Sequence, residues 1–104
     1  MHRELYDRIV NYAIDIESNK PLPHFNFHWQ KDALETARQI YQHIKDSNGE
    51  TAEEIARVFD ISPEYAKQVI LALQNGGAKI SAIAEDSGQP HRHKHRYFVE
   101  NLSN

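Results

Sequence analysis

The run His91-Arg92-His93-Lys94-His95-Arg96 alternates imidazole with cation. In an extended segment alternate side chains share a face, so His91, His93 and His95 point one way and Arg92, Lys94 and Arg96 the other. The cationic row suits phosphate oxygens, or an arginine set in a minor groove. The imidazole row offers nitrogen donors that zinc, nickel or copper accept. Neighbouring positions on one strand do not close a tetrahedral site without a ligand from elsewhere, and no cysteine or close carboxylate joins them. Phosphate contact is therefore the preferred reading, metal ligation by His91, His93 and His95 the lesser one, and no cofactor is expected.

A second polar run is Ser62-Pro63-Glu64-Tyr65-Ala66-Lys67-Gln68. Gln68 can bond bidentately to adenine N6 and N7, and Lys67 can reach guanine O6 and N7 or a phosphate. Tyr65 can meet a phosphate through its hydroxyl or a thymine methyl through its ring. Glu64 would repel phosphate or accept from cytosine N4. Thr51 and Ser62, each heading a helix, add backbone N–H groups that favour anions. Enzyme chemistry has no comparable signal. Asn75-Gly76-Gly77 is a helix stop rather than a phosphate loop, His-Glu-x-x-His is absent, and no carboxylate–histidine spacing stands out. The chain is not expected to be an enzyme.

These residues need elements to hold them. Leu5, Ile9, Tyr12 and Ile16, widened by Val10, Ala13 and Ile14, predict an amphipathic helix over 4–18, which Pro21 and Pro23 keep from continuing. Phe25, Phe27 and Trp29 alternate with His24, Asn26 and His28, a period-two pattern for a short extended segment with one aromatic face. Its histidines are expected to cover the rings; a ligand pair is the alternative. Asp32, with Glu35 three residues on, predicts an N-cap and capping box for a helix with Leu34, Ala37, Ile40, Tyr41 and Ile44 inward, ending at Asn48-Gly49.

Thr51 with Glu54 is another capping box, opening a short helix to Phe59. Asp60-Ile61 turn the chain, and Ser62-Pro63 restart it as N-cap and first helical residue. That helix runs to about Gln74. It buries Ala66, Val69, Ile70 and Leu73 and turns Glu64, Tyr65, Lys67, Gln68, Leu71 and Ala72 outward. Lys79–Ala84 and His95–Glu100 are strand candidates, with Glu85–Pro90 as turn and loop between them.

The chain has 104 residues, enough for one domain with a real core. With no cysteine, disulfides, thiolate metal sites and cysteine nucleophiles are excluded. No apolar run approaches the roughly 18 residues of a membrane helix. The N-terminus lacks the apolar stretch of a signal peptide, so the cytoplasm is the expected location and no membrane partner is expected. Net charge is −3, distributed as −1 over residues 1–30, −3 over 31–60 and +1 over 61–104. The C-terminal end is the cationic one.

Helix, short helix, tight turn, helix, glycine stop and hairpin follow one another in the order of a winged helix-turn-helix. From Asp32 to about Leu102, roughly two-thirds of the chain, the sequence resembles that DNA-binding superfamily. Residues 51–62 resemble its first motif helix and turn, residues 62–73 its recognition helix, residues 75–80 the exit to the wing, and Arg96-Tyr97-Phe98-Val99 the returning strand. The compact form is similar to small bacterial, plasmid or phage regulators of the MarR-like or fimbrial-operon-regulator type. The resemblance implies a mostly α fold with a small β-hairpin: a winged helix-turn-helix domain over 31–104, preceded by an N-terminal helix and aromatic arm over 1–30 that is expected to dimerise or to cover the back of its own domain.

The resemblance further implies a sequence-specific transcriptional regulator, homodimeric on double-stranded DNA. Tyr65, Lys67 and Gln68 would lie at base-contacting positions, with Arg92, Lys94 and Arg96 on the backbone. The alternative is an adaptor or inhibitor that presents the same face to another protein. The histidines of the wing carry a testable consequence. Imidazoles, with a reference pKa of about 6.5, gain positive charge as pH falls. DNA affinity at fixed salt is expected to rise between pH 8 and pH 6; a flat anisotropy titration would count against a role for these side chains.

Overall fold

The computed structural model describes residues 1–22, 28–86 and 93–99, with the backbone alone at 85, 86, 93 and 94. Its first helix, α1, spans Arg3–Glu17, with His2 as N-cap accepting from the Glu4 N–H at 3.3 Å. It buries Leu5, Ile9, Ala13 and Ile16; of the expected stripe, Val10 and Tyr12 are half-buried and Ile14 is exposed. The helix stops before the prolines. Asn19 takes a left-handed conformation (φ 56), the Asn19 N–H reaches the Ile16 carbonyl and the Lys20 N–H the Asp15 carbonyl. That is a Schellman turn with asparagine in the glycine role.

Helix α2 spans His28–Asp46 and starts earlier than the sequence pattern suggests. Asp32 lies inside it and does not cap it; its carbonyl accepts from the Thr36 hydroxyl at 2.9 Å. The inward stripe runs back through Leu34 to Gln30, which is 3% exposed and donates to Glu4 Oε1 at 3.2 Å. A bonded amide can occupy a core position that a search for apolar residues passes over. His28 and Trp29, expected in an extended segment, are therefore helical, and Trp29 is exposed. His24, Phe25, Asn26 and Phe27 of that expected segment lie outside the described residues.

A two-residue strand, β1 (Glu50–Thr51), leads into α3 (Ala52–Phe59), and α4 (Pro63–Asn75) follows. The capping box at Thr51 and Glu54 forms, as does the Ser62 cap with Pro63 in the first turn. Strands β2 (Ile80–Asp86) and β3 (His93–Val99) form the hairpin. Glu85 and Asp86, expected in a loop, and His93 and Lys94, expected ahead of the second strand, extend the ladder. The sheet is antiparallel in the order β1-β3-β2, with Thr51 opposite Arg96 and Ala82 opposite Tyr97.

Among the described residues the result is a mostly helical domain of four helices and a small three-stranded sheet. From α2 onward the order of elements is compatible with a winged helix-turn-helix. No helix among the described residues is long and apolar enough to cross a membrane.

All four helices share one core. Ile9, Ile16, Leu34, Ile40, Ile44, Ile55, Val69, Ile70 and Leu73 are essentially inaccessible. Because α1 packs along α4, Ala72 is fully buried rather than outward. Gly76, the C-cap of α4, marks the closest approach: a Cβ there would overlap the Val10 carbonyl oxygen and the Ala13 methyl. Its φ of −85° is open to any residue, so the requirement is for space. Gly76→Ala is expected to lower the unfolding free energy by about 1–3 kcal/mol, the usual cost of overpacking. Urea denaturation monitored by circular dichroism would show it.

Candidate nucleic-acid interface

The turn between α3 and α4 depends on Asp60, held left-handed at φ 55 and ψ 48. The Ile61 N–H returns to the Ala56 carbonyl at 3.0 Å, and Ile61 is half-buried against the core. Ser62 Oγ then accepts from the Tyr65 N–H at 3.0 Å. Helix α4 buries Ala66, Val69, Ile70, Ala72 and Leu73, leaving Glu64, Lys67 and Leu71 exposed and Tyr65 and Gln68 half-buried.

The exposed side divides in two. Toward the sheet, Lys67 Nζ lies 3.5 Å from Glu64 Oε1, an exposed pair. The Tyr97 phenol of β3 is also nearby: burial raises its pKa, with Lys67 pulling it down and Glu53 pushing it up. Burial likewise raises the Tyr65 phenol, so both hydroxyls are neutral hydrogen-bonding groups at neutral pH. Toward α1, Gln68 and Leu71 line a hollow of about 380 Å³ together with Met1, Arg3, Tyr6 and Asp7. The leading helix thus borders the flank of α4 expected to face a duplex and partly covers Gln68.

The other expected contacts fall in different surroundings. Thr51 is 5% exposed. Its hydroxyl accepts from the Glu54 N–H at 3.3 Å and donates to Glu54 Oε1 at 3.1 Å, and its own N–H reaches the same oxygen at 3.5 Å. With Glu53 and Glu54 in the first turn, the start of α3 already carries its anion. Arg96 is half-buried and donates through Nη1 to the Gly49 carbonyl at 2.9 Å and to Glu54 Oε1 at 3.4 Å. Gly49 is left-handed (φ 104), and a Cβ there would overlap the Phe98 ring and crowd the Arg96 stem.

In the hairpin, the Lys94 position lies opposite Glu85 and the His93 position opposite Asp86. His95 is exposed and two residues from Tyr97, on the same face of β3. His91 and Arg92 lie outside the described residues. Among the described residues no group of three or more His, Cys, Asp or Glu side chains could hold a metal.

Three contacts here have no counterpart in the sequence pattern. His43 Nε2 lies 2.6 Å from Glu50 Oε2, and the His43 ring meets Phe59 edge-on at 5.6 Å. This pair ties the end of α2 to β1. Arg96 and Glu54 are 42 residues apart, and only the folded sheet joins them. No protein-family model matches the chain, no curated protein is similar to it, and no solved structure matches its fold.

The Arg96–Glu54 contact is expected to be modest and coupled. Arg96→Ala should cost about 1 kcal/mol of stability, and Glu54→Ala a similar amount. The double variant should cost less than their sum, because both remove one shared interaction. A double-mutant cycle by chemical denaturation would measure that coupling; strict additivity would mean that the two side chains do not interact in solution.

Proposed function

We propose that this chain is a cytoplasmic, sequence-specific DNA-binding transcriptional regulator that acts as a homodimer by occupying its site near a promoter. The observation that carries the reading is the placement of α4. Its capped N-terminal half projects Glu64 and Lys67 into solvent from a left-handed turn. The N-terminal half of such a helix is the part that enters a major groove.

In this reading Lys67 exchanges its exposed contact with Glu64 for a guanine edge or a phosphate. Exposed ion pairs contribute little, so the exchange is cheap. Tyr65 offers a neutral hydroxyl to a phosphate, Gln68 reads adenine, and Ser62 lends the helix N-terminus. Arg92 and Lys94 hold the backbone from the wing. Arg96 fastens the root of the hairpin to α3 and contributes through placement more than through direct contact.

The second reading is an adaptor that binds protein. It draws support from exposed Val58, which lines a hollow of about 290 Å³ with Glu50, Glu54 and Arg57 on an acidic stretch of surface.

Fluorescence anisotropy with genomic duplex fragments, titrated with salt, separates the two. A DNA binder loses affinity with a log–log slope near −0.9 per phosphate neutralised. Lys67→Ala is expected to reduce that slope by about one if it contacts phosphate, while Gln68→Ala should cost about 1–3 kcal/mol and relax preference at one base. Absence of binding at about 50 mM salt would overturn the DNA reading in favour of the adaptor.

A further inference from the structure

Strand β2 ends the sheet, and among the described residues no strand pairs with its outer side. Such an edge is a template for another strand, and proteins blunt it with lysine, proline, bulges or short length. Residues 81–84 carry none of these devices; at Ile80 the carbonyl already accepts from Gln74 Nε2 at 2.9 Å and the N–H reaches the Ala78 carbonyl at 3.0 Å. Residues 80–84 read Ile-Ser-Ala-Ile-Ala within a seven-residue strand. Ala82, Ile83 and Ala84 are exposed, Ile83 by 56%. The helix expected to dimerise, α1, spends Leu5, Ile9, Ala13 and Ile16 on its own core.

We propose that β2 pairs with β2 of a second copy, antiparallel about a two-fold axis through Ala82, so that one six-stranded sheet runs across a homodimer. Such an axis stands perpendicular to the sheet and preserves its faces, so even positions meet even and odd meet odd. With Ala82 opposite itself, Ile80 meets Ala84 and Ser81 meets Ile83. The Lys79 position then meets the Glu85 position at both ends of the paired run.

Neighbouring registers lack this agreement. Centring on Ile83 sets Ile80 against Asp86 and Ser81 against Glu85. Centring on Ser81 sets Lys79 against Ile83 and shortens the pairing. In the Ala82 register the two Ile83 side chains are diagonal neighbours on the outer face, a spacing of about 7–8 Å that long side chains bridge. Alanine on the axis lets the strands close. Charge complementarity at the ends and apolar contact in the middle come from the same few residues, which favours a second copy over a foreign strand.

The test needs no DNA and is independent of the DNA reading. The chain has no cysteine, so Ala82→Cys introduces a single thiol. Directly opposed residues in an antiparallel pair lie about 4.5–5.5 Å apart between Cα atoms, within disulfide range. Ala82→Cys is expected to form a covalent dimer under mild oxidation, much faster than an Ile14→Cys control on α1. In sedimentation equilibrium the unmodified chain should dimerise at about 50 µM, and Ile83→Lys should weaken the dimer about tenfold or more. Lys79→Glu should weaken it as well, and Lys79→Glu combined with Glu85→Lys should restore it. Circular dichroism confirms that each variant is folded.

A monomer at all concentrations up to about 1 mM would overturn the proposal. So would cross-linking at Ala82→Cys no faster than at Ile14→Cys, or a charge swap that fails to rescue. Those results would leave the edge to a strand of a different protein or to none.

Discussion

Where α1 crosses the end of α4, the two backbones meet with no room for a side chain. Gly76 sits against the Val10 carbonyl and the Ala13 methyl, and much of the molecule follows from that contact. Ala72 disappears from the surface. The Asn75 amide donates to the Tyr6 hydroxyl, and Glu17 Oε2 accepts from the Lys79 N–H at 2.6 Å. Helix α1 therefore fixes both the exit from α4 and the entry to β2, which sets where the hairpin leaves the body. The same approach brings Met1, Arg3, Tyr6 and Asp7 beside Gln68 and Leu71. What α4 can offer a partner is narrowed by a helix that belongs to the same core, which buries Ala72 and borders Gln68 and Leu71.

The other end of the hairpin is held by different chemistry. One carboxylate oxygen, Glu54 Oε1, accepts from the Thr51 hydroxyl, the Thr51 N–H and Arg96 Nη1. A group that caps α3 thus also anchors β3. Glu54 and Arg96 both keep contact with water, so no single bond here is strong. Their value is directional: they fix the angle of the sheet against the α3–α4 pair. Gly49 completes the joint by letting the Phe98 ring and the Arg96 stem close over the chain.

Local chemistry was the legible part of the sequence. Thr51 with Glu54, and Ser62 with Pro63, are patterns within one helical turn, and both caps stand where the residue types place them. The start of α2 went the other way because Asp32 and Glu35 have the spacing of a capping box, while the stripe that decides the helix reaches back to a buried glutamine. Two residues of β1 are too few to show a period. Ala72 follows the same logic: the buried arc of α4 is widened by a helix more than fifty residues earlier, and nothing within α4 announces it. Of the proposed interface, residue types were readable but their commitments were not, since Arg96–Glu54 and Gln68–α1 are products of the fold.

Those commitments bear on how such a surface could hold DNA. With a net charge of −3, the chain lacks a long-range field to draw in a polyanion. Lys67 is shared with Glu64, Arg96 with Glu54, and the Lys94 position faces Glu85 across the hairpin. On the proposed DNA reading, a duplex would compete with internal carboxylates for Lys67 and Arg96. The competition is uneven: the exposed Lys67 contact yields at small cost, whereas Arg96 is half-buried and bonded to a backbone carbonyl that would be left unpaired. Binding, on that proposed reading, would rest on close fit in the groove more than on bulk attraction. A fold compatible with a winged helix does not dictate its partner, and this charge arrangement favours contacts made at short range.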